Sequence, residues 1–226
     1  MIHIDNFTFN AFQTRCSVVW DDDNFCAFVD PGCASTEETS ALVDFVSARG
    51  LKPMCIMLTH GHFDHIYGVA ALSETYGGLP VYMHKDEKFT MTDTNPYVCG
   101  MYGLPLPDVS FVETAALKET VEGDVIEVGS LKFQVLETPG HSRGGLCFYE
   151  ANEQVLFSGD TLFAGAIGRT DQPGGDYDQL MKSIFEKLMT LDGDVKVIPG
   201  HGPSSDITTE NMTNPFLQPF NEPYEE

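Results

Sequence analysis

Hydrophobic and polar positions follow two different periods along this chain of 226 residues. Short apolar runs bounded by glycine, proline or aspartate are typical of buried strands, whereas apolar residues every three or four positions indicate amphipathic helices. The predicted strands cover residues 16–20, 25–30, 54–58, 81–83, 125–128, 131–136, 146–149, 155–157 and 195–198. The predicted helices cover residues 37–49, 64–76 and 176–190. Strands and helices thus alternate along the chain, as in an α/β protein.

Turn residues at the ends of these elements support the assignment. Gly129-Ser130 predicts a β-hairpin, and Gly50 stands where a left-handed cap is expected to end the first helix. Residues 90–110 have no clear period, so we expect a loop there, either a pocket wall or lid or a packed surface segment. The polar tail from Thr208 is expected to pack on the surface. Because no repeat or linker interrupts the pattern, we expect one domain over residues 1–226.

Composition and charge narrow the choice of partners. With 12 basic and 34 acidic side chains the formal charge is −22, and the chain has no run of Lys or Arg suited to a nucleic acid. No apolar run is long enough to span a membrane, and the N-terminus lacks the features of a signal peptide. The six cysteines stand singly with no CxxC pair, which is typical of reduced thiols. We therefore expect a cytoplasmic protein that binds neither nucleic acid nor membrane, and the sequence indicates no particular oligomeric state.

The strongest chemical signal follows the predicted strand 54–58. His60, His62, Asp64 and His65 fall within six consecutive positions, although the whole chain has only 7 histidines. Neutral imidazole and carboxylate are ligands that first-row divalent metals accept when no thiolate is offered. Chance clustering in a surface loop is a poor explanation for this density. The segment therefore predicts a metal site.

Three further candidate ligands stand at the ends of other predicted strands. His141 lies in a TPGH turn, Asp160 follows a Ser-Gly pair, and His201 lies in a PGHG turn. Each has a glycine beside it, which lets the backbone pass close to a crowded centre. A single histidine is more often a satisfied core residue, but that explanation does not account for a context repeated at several strand ends. The repetition predicts that these residues converge on one site.

These four motifs together resemble those of the metallo-β-lactamase superfamily, in the same order, over residues 59–202. The resemblance implies an αββα sandwich of two mixed β-sheets flanked by helices, with the metals at one edge. Residues 168–171, 173–175 and 214–217 are most similar to the short, single-domain glyoxalase II-type (hydroxyacylglutathione hydrolase-like) enzymes. The helical domain that supplies glutathione contacts at the C-terminus of the longer members is not expected within residues 1–226.

The resemblance also implies a role for each candidate residue. The expected ligands are His60, His62 and His141 for one divalent metal, Asp64, His65 and His201 for a second, and Asp160 as a bridge between the two. Zinc is the first expectation for both ions, with iron or manganese as alternatives. Asp64 and Asp160 are expected to act in catalysis as well as in metal binding. Arg169 is the candidate cation for a substrate carboxylate, and an ion pair with Asp171 is its alternative role.

The reaction implied by the resemblance is hydrolysis of a small-molecule thioester of the S-lactoylglutathione type by a metal-bridging hydroxide. The thiolate leaves without a strong general acid because thiols are far more acidic than alcohols. A hydrolase of another small ester or thioester is one alternative. A persulfide dioxygenase with a single iron on His60, His141 and Asp160 is another, because that group shares the signature at residues 168–171. A non-catalytic binding module is not favoured, since no ligand position is lost.

Overall fold

The computed structural model describes residues 1–218 and contains two six-stranded sheets packed face to face. The strands of the first sheet are β1 (His3–Phe9), β2 (Thr14–Trp20), β3 (Phe25–Val29), β4 (Lys52–Met57), β5 (Val81–Met83) and β6 (Leu117–Glu119). The later strands are β7 (Val125–Val128), β8 (Leu131–Glu137), β9 (Leu146–Glu150), β10 (Val155–Gly159), β11 (Leu162–Phe163), β12 (Ala166–Ile167), β13 (Lys196–Pro199) and β14 (Ser205–Asp206).

Both sheets are mixed. The first has the order β1-β2-β3-β4-β5-β6, antiparallel from β1 to β3 and parallel from β3 to β6. The second has the order β14-β13-β10-β9-β8-β7, in which only β10 and β13 run parallel. Strands β11 and β12 form a separate two-stranded ribbon.

Helices cover the outer faces of the two sheets. They are α1 (Thr36–Arg49), α2 (Phe63–Ile66), α3 (Val69–Thr75), α4 (Glu87–Phe89), α5 (Asn95–Tyr102), α6 (Tyr177–Ser183) and α7 (Ile207–Thr213). Thr90–Thr94 and Ile184–Leu188 are π-helical, and Ser110–Glu113 is a 3₁₀ turn. Within residues 1–218, none of these helices has the length and apolar character needed to cross a membrane.

The two-residue period of the strands sends neighbouring side chains into different cores. In β3, Phe28 packs with apolar residues of α1 and α3, whereas Val29 faces the second sheet. In β10, Phe157 lies between the sheets, whereas Leu156 packs with apolar residues of α6. Three apolar layers therefore alternate with the two sheets, and the expected αββα sandwich is confirmed.

Two predicted elements differ from the structure. The single helix expected over 64–76 is divided into α2 and α3 at Gly68, because the backbone there passes so close to Pro31 and Cys33 that a Cβ atom would lie 2.0 Å from the cysteine sulfur. The loop expected over 90–110 is wrong for its first half, which is helical through Tyr102. This helix has a proline in its first turn and ends at Gly103 in the left-handed conformation. Polar side chains such as Asn95 are buried in this segment while aromatic ones such as Tyr97 are exposed, so the hydrophobic pattern of the sequence gives no helical signal.

The tail, which was expected to pack on the surface, is helical in its first part and contributes Leu217 to the core. Asp206 caps α7 by accepting a hydrogen bond from the backbone N–H of Thr209 at 2.7 Å, and Ile207 and Leu217 join the core beneath the second sheet. Residues 219–226 of the predicted tail lie outside the described residues. Strands β1, β6, β11, β12 and β14 have no counterpart among the predicted elements.

The topology brings five strand ends to one edge of the sandwich. Asp30 follows β3, His60 comes three residues after β4, and His141 comes four residues after β8. Asp160 follows β10, and His201 comes two residues after β13. Because β3 and β4 are parallel, as are β10 and β13, their carboxyl ends meet at the same edge of each sheet. The site described next lies there.

Candidate metal centre

All seven residues expected from the sequence as metal ligands lie together at this edge. Six of them form two groups whose nitrogen or oxygen atoms lie within 4.8 Å of one another. The first cluster contains His60, His62 and His141, and the second cluster contains Asp64, His65 and His201. All six side chains are buried except that of His201, which is partly exposed.

The seventh residue, Asp160, contacts both clusters. Its Oδ2 lies 3.6 Å from His141 Nε2 in the first cluster and 3.5 Å from His201 Nε2 in the second. Its Oδ1 lies 3.4 Å from His65 Nε2. This carboxylate is therefore the one group within reach of all three of these imidazoles in residues 1–218.

The hydrogen bonds around the imidazoles leave their nitrogen lone pairs directed at a shared space. His201 Nδ1 donates to the carbonyl of Phe12 at 3.1 Å, and His65 Nδ1 donates to Asp30 Oδ2 at 3.1 Å. In these tautomers the Nε2 atoms of His65 and His201, 3.2 Å apart, face each other without a proton between them. Two facing lone pairs need a proton or a cation between them.

Two buried polar atoms at the same place have no hydrogen-bond partner within residues 1–218, His60 Nε2 and Asp160 Oδ1. Buried polar atoms are rarely left unpaired, so each such atom requires an explanation. Imidazole nitrogens and carboxylate oxygens without thiolates make a donor set that zinc, iron or manganese accepts. The residues present therefore fit a divalent metal.

The second cluster attracts protons when no metal is bound. Burial opposes protonation of His65 and His201, but the adjacent Asp64 and Asp160 carboxylates outweigh it and raise both pKa values, that of His201 to about 9. Burial likewise opposes ionisation of Asp64, but His65, His201 and the Thr14 hydroxyl outweigh it and lower its pKa to about 2. The carboxylates are therefore ionised at neutral pH.

The first cluster behaves in the opposite way. Burial and the neighbouring His65 hold the pKa of His60 well below its usual range. Burial and His141 lower the pKa of His62 to about 3. Since metals bind the neutral imidazole, these two side chains are in the ligating state at neutral pH.

Asp30, which the sequence pattern does not single out as a site residue, supports both clusters. Its Oδ1 accepts the backbone N–H of Thr59 at 2.7 Å, and its Oδ2 accepts from the Thr59 hydroxyl at 2.5 Å and from His65. The same hydroxyl lies 3.0 Å from His60 Nδ1, so it accepts that N–H and leaves Nε2 as the lone pair. Asp30 ends a buried strand and precedes Pro-Gly, a context close to that of Asp160, and this signal was available in the sequence.

Thr14 is a second supporting residue without a signal in the sequence. It is fully buried, and its hydroxyl donates to Asp64 Oδ2 at 2.7 Å. Thr14 begins β2, which runs antiparallel to β3 and therefore starts at the edge where β3 ends. Its role depends on this pairing, which one strand's sequence does not reveal.

A cavity of about 580 Å³ opens above the clusters. Its walls combine the candidate ligands with apolar side chains from three places: the turn between β1 and β2, helix α2, and residues 98–104. The lining residues are Phe12, His62, Phe63, Asp64, Val98, Tyr102, Leu104, His141, Asp160, Arg169, Gln172 and His201. The pocket-wall alternative for residues 90–110 is thus confirmed, since three of these side chains belong to that segment. His84 lies outside this lining and is buried against Gly144.

Arg169 contributes to the site through two different groups. Its carbonyl accepts the N–H of His141 Nδ1 at 2.8 Å, which fixes that ring. Its exposed guanidinium is paired with Asp171 through Nε and Nη2, both at 2.7 Å. The ion pair expected as its alternative role is therefore present, while the side chain still lines the cavity.

The chain matches the family model of the metallo-beta-lactamase superfamily over residues 9–201. The chain belongs to this superfamily. A relative from Haemophilus influenzae named hydroxyacylglutathione hydrolase GloC is 35% identical and aligns over 96% of this chain and 98% of its own length. A probable metallo-hydrolase, YqgX of Bacillus subtilis, is 38% identical over 88% of this chain and 90% of its own.

Solved structures from the superfamily share the whole fold. The crystal structure of BLEG-1 B3 metallo-beta-lactamase superposes with a TM-score of 0.86 at 36% identity, covering 96% of this chain and all of its own. The structure of TTHA1623 in a di-iron-bound form superposes with a TM-score of 0.80 at 35% identity, covering 94% and 100%. The superfamily match and the His/Asp clusters together identify the chain as an enzyme of the metal-dependent hydrolase class.

Proposed function

We propose that this protein is a binuclear metallohydrolase that cleaves a small-molecule thioester of the S-lactoylglutathione type. The observation that carries the proposal is the Asp160 carboxylate, whose two oxygens lie within 3.6 Å of imidazoles from both clusters. A shared carboxylate at this position suits two cations held close together. The relative named hydroxyacylglutathione hydrolase, which matches nearly the whole chain, supports the thioester as substrate.

The ligands we propose are the two clusters with Asp160 between them. The first metal would be held by His60, His62 and His141, and the second by Asp64, His65 and His201. When bound, two divalent ions supply Lewis acidity and lower the pKa of a water molecule toward neutrality. Zinc suits these nitrogen and oxygen donors, and iron or manganese suits them as well.

The protein's own side chains would orient the attacking water molecule, and none of the cysteines is suited to act as the nucleophile. Asp64 lines the cavity, is ionised, and is fixed by the Thr14 hydroxyl, so it is placed to orient a water molecule by accepting a hydrogen bond from it. The leaving thiolate needs no acid from the protein. A cysteine nucleophile is not favoured, because burial raises the pKa of all six thiols. All six are unpaired and buried, which is consistent with the cytoplasmic location we propose.

The cavity supports a compact acyl group. Phe12, Phe63, Val98 and Leu104 form apolar walls beside the clusters. Among the lining residues, which all lie within the described part of the chain, Arg169 is the only Lys or Arg, and two of its nitrogens already contact Asp171. A substrate carboxylate would therefore gain a modest contact there.

The test is elemental analysis of the purified protein alongside a panel of thioesters with and without glutathione as the thiol. We expect two metal ions per chain and thiol release that a chelator abolishes. One iron per chain with oxygen consumption and no thiol release would replace this proposal with the dioxygenase alternative. Cleavage only of thioesters that lack glutathione would retain the reaction and change the carrier.

A further inference from the structure

We propose that Glu87 and Asn95 are positioning residues that hold the loops of the first cluster in the geometry that binds metal. Both side chains are fully buried, and neither lines the cavity. They lie on the segment from α4 to α5, next to the part of it that forms the cavity wall. The inference rests on the proposed ligand set but not on the proposed substrate.

Glu87 connects two loops that carry first-cluster ligands. Its Oε2 accepts the backbone N–H of Gly61 at 2.6 Å, between His60 and His62. Its Oε1 accepts the backbone N–H of Gly144 at 2.7 Å, three residues after His141. A buried carboxyl group is costly unless its oxygens are hydrogen-bonded, and here each oxygen accepts one backbone N–H.

Glycine at position 61 permits this approach, because a Cβ atom there would lie 3.1 Å from Glu87 Oε2. Glycine at position 144 instead makes room for the ring of His84, whose Nδ1 would lie 2.5 Å from a Cβ atom. The carboxylate lies between the two backbone N–H groups that it accepts. Its position is fixed from both sides.

Asn95 holds the other side of the same loop. Its Nδ2 donates to the carbonyl of Gly61 at 2.9 Å, and its Oδ1 accepts the backbone N–H of Phe63 at 3.1 Å. Together with Glu87, it fixes backbone groups of the residues on both sides of His62. A ligand whose flanking peptides are fixed loses little further freedom when it binds a metal.

The second cluster has two supports of its own, the Thr14 hydroxyl and the Phe12 carbonyl, while Asp30 supports both clusters. Loss of Glu87 or Asn95 should therefore weaken one metal-binding event and leave the other. A purely structural role predicts no such selectivity. This difference separates positioning from general stabilisation.

The main test variant is Glu87→Gln. Glutamine matches the size of the carboxylate, but its amide can accept only one of the two backbone N–H groups and directs a donor at the other. The matched control is Glu150→Gln, at the last residue of β9, on the end of the second sheet that lies away from the clusters. Glu150 is also buried and also accepts on both oxygens, from Asn152 Nδ2 at 3.1 Å and from the Glu153 N–H at 2.7 Å.

The experiment titrates metal-free protein with Co²⁺ and follows its visible absorption, with zinc competition and without substrate. We expect Glu87→Gln to weaken one of two binding events by about 10-fold to 100-fold, the range for supporting groups around metal ligands, and to alter that event's spectrum. Glu150→Gln should bind both ions as the parent does. Asn95→Ser should weaken the same event as Glu87→Gln.

Unchanged binding in Glu87→Gln and Asn95→Ser would overturn the proposal, as would equal weakening of both events. Failure of both variants to fold while Glu150→Gln folds would also overturn it, because the role would then be structural. His60→Ala separates this result from a wrong ligand set. If His60→Ala also binds both ions normally, the ligand set is wrong rather than the role of Glu87.

Discussion

In the first cluster all three candidate ligands are imidazoles, whereas the second combines two imidazoles with the Asp64 carboxylate. The flanking backbone of the first is fixed by Glu87 and Asn95, while in the second a side-chain hydroxyl fixes Asp64 itself. Without metal, His60 and His62 of the first cluster are neutral because their pKa values are lowered, whereas His65 and His201 of the second cluster retain protons. Two sites a few ångströms apart can therefore differ in affinity, in pH response and in the substitutions that disable them.

The largest fall in activity is expected when Asp160, which contacts both clusters, is replaced. Asp160→Ala removes the carboxylate that faces His65, His141 and His201 and so deletes the one group that contacts both clusters. We expect kcat to fall by about 10²-fold to 10⁴-fold, the range for loss of a group that acts on the reacting atoms. Steady-state thiol release measures this.

Asp178→Ala, a change at an exposed acid on α6, is the control and should leave kcat unchanged. Metal content has to be measured on the same samples. If Asp160→Ala loaded with two metals keeps near-parental turnover, the shared-carboxylate account of the site is wrong.

The next largest effect comes from the groups that support the ligands. Thr14→Val removes the hydroxyl that contacts Asp64 and should weaken only the second cluster, by about 10-fold to 100-fold in metal affinity. Thr14→Ser keeps the hydroxyl and is the matched control. Asp30→Asn should weaken both clusters, because Asp30 contacts His65 directly and His60 through Thr59.

Metal titrations that resolve the two binding events distinguish these variants. Weakening of the first event in Thr14→Val, or of only one event in Asp30→Asn, would contradict the division of supports between the clusters.

The grouping of the candidate ligands at one edge was predictable from the sequence, because each lies in a local motif at a strand end. His60 and His65 are close in sequence, and His141, Asp160 and His201 each follow an apolar run with glycine beside them. The individual strands and helices were predictable from their hydrophobic periods, whereas their arrangement in αββα layers was expected from the resemblance to the superfamily.

The supporting residues were not predictable in the same way. Thr14, Glu87 and Asn95 are ordinary polar residues in sequence, and their partners lie more than 25 positions away along the chain. Only the pairing of β2 with β3 and the packing of the segment from α4 to α5 bring them to the ligands. The hydrophobic pattern of that segment shows no helical period, because the polar side chain of Asn95 is buried against the ligand loop while Tyr97 and Met101 are exposed.

The two clusters should also respond differently to pH. Because the pKa values of His65 and His201 are raised, the metal-free second cluster keeps these protons at neutral pH, and His201 loses its proton only as the pH approaches about 9. A metal that binds there displaces them, so its affinity should rise with pH by about tenfold per unit for each proton displaced. In the first cluster the pKa of His60 is lowered and that of His62 is lowered to about 3, so a metal displaces no proton from these two side chains at neutral pH and its affinity should depend less on pH.

Co²⁺ titrations at several pH values, with proton release followed in weakly buffered solution, measure this difference. Parallel pH dependence of both binding events would show that the charge difference between the clusters does not control metal binding.

The smallest effect on activity is expected for a change at Arg169. Its backbone carbonyl contacts His141 of the first cluster, and its side chain lines the cavity. Arg169→Ala keeps the carbonyl that orients His141, so metal affinity of the first cluster should not change. The guanidinium is exposed and shared with Asp171, and exposed ion pairs contribute little. We therefore expect KM to rise by less than about fivefold, only for thioesters that bear a carboxylate, with kcat unchanged. A much larger rise in KM for those substrates alone would identify Arg169 as the main anchor of a substrate carboxylate. A loss of metal would instead mean that the side chain, and not only the backbone, holds the ring of His141.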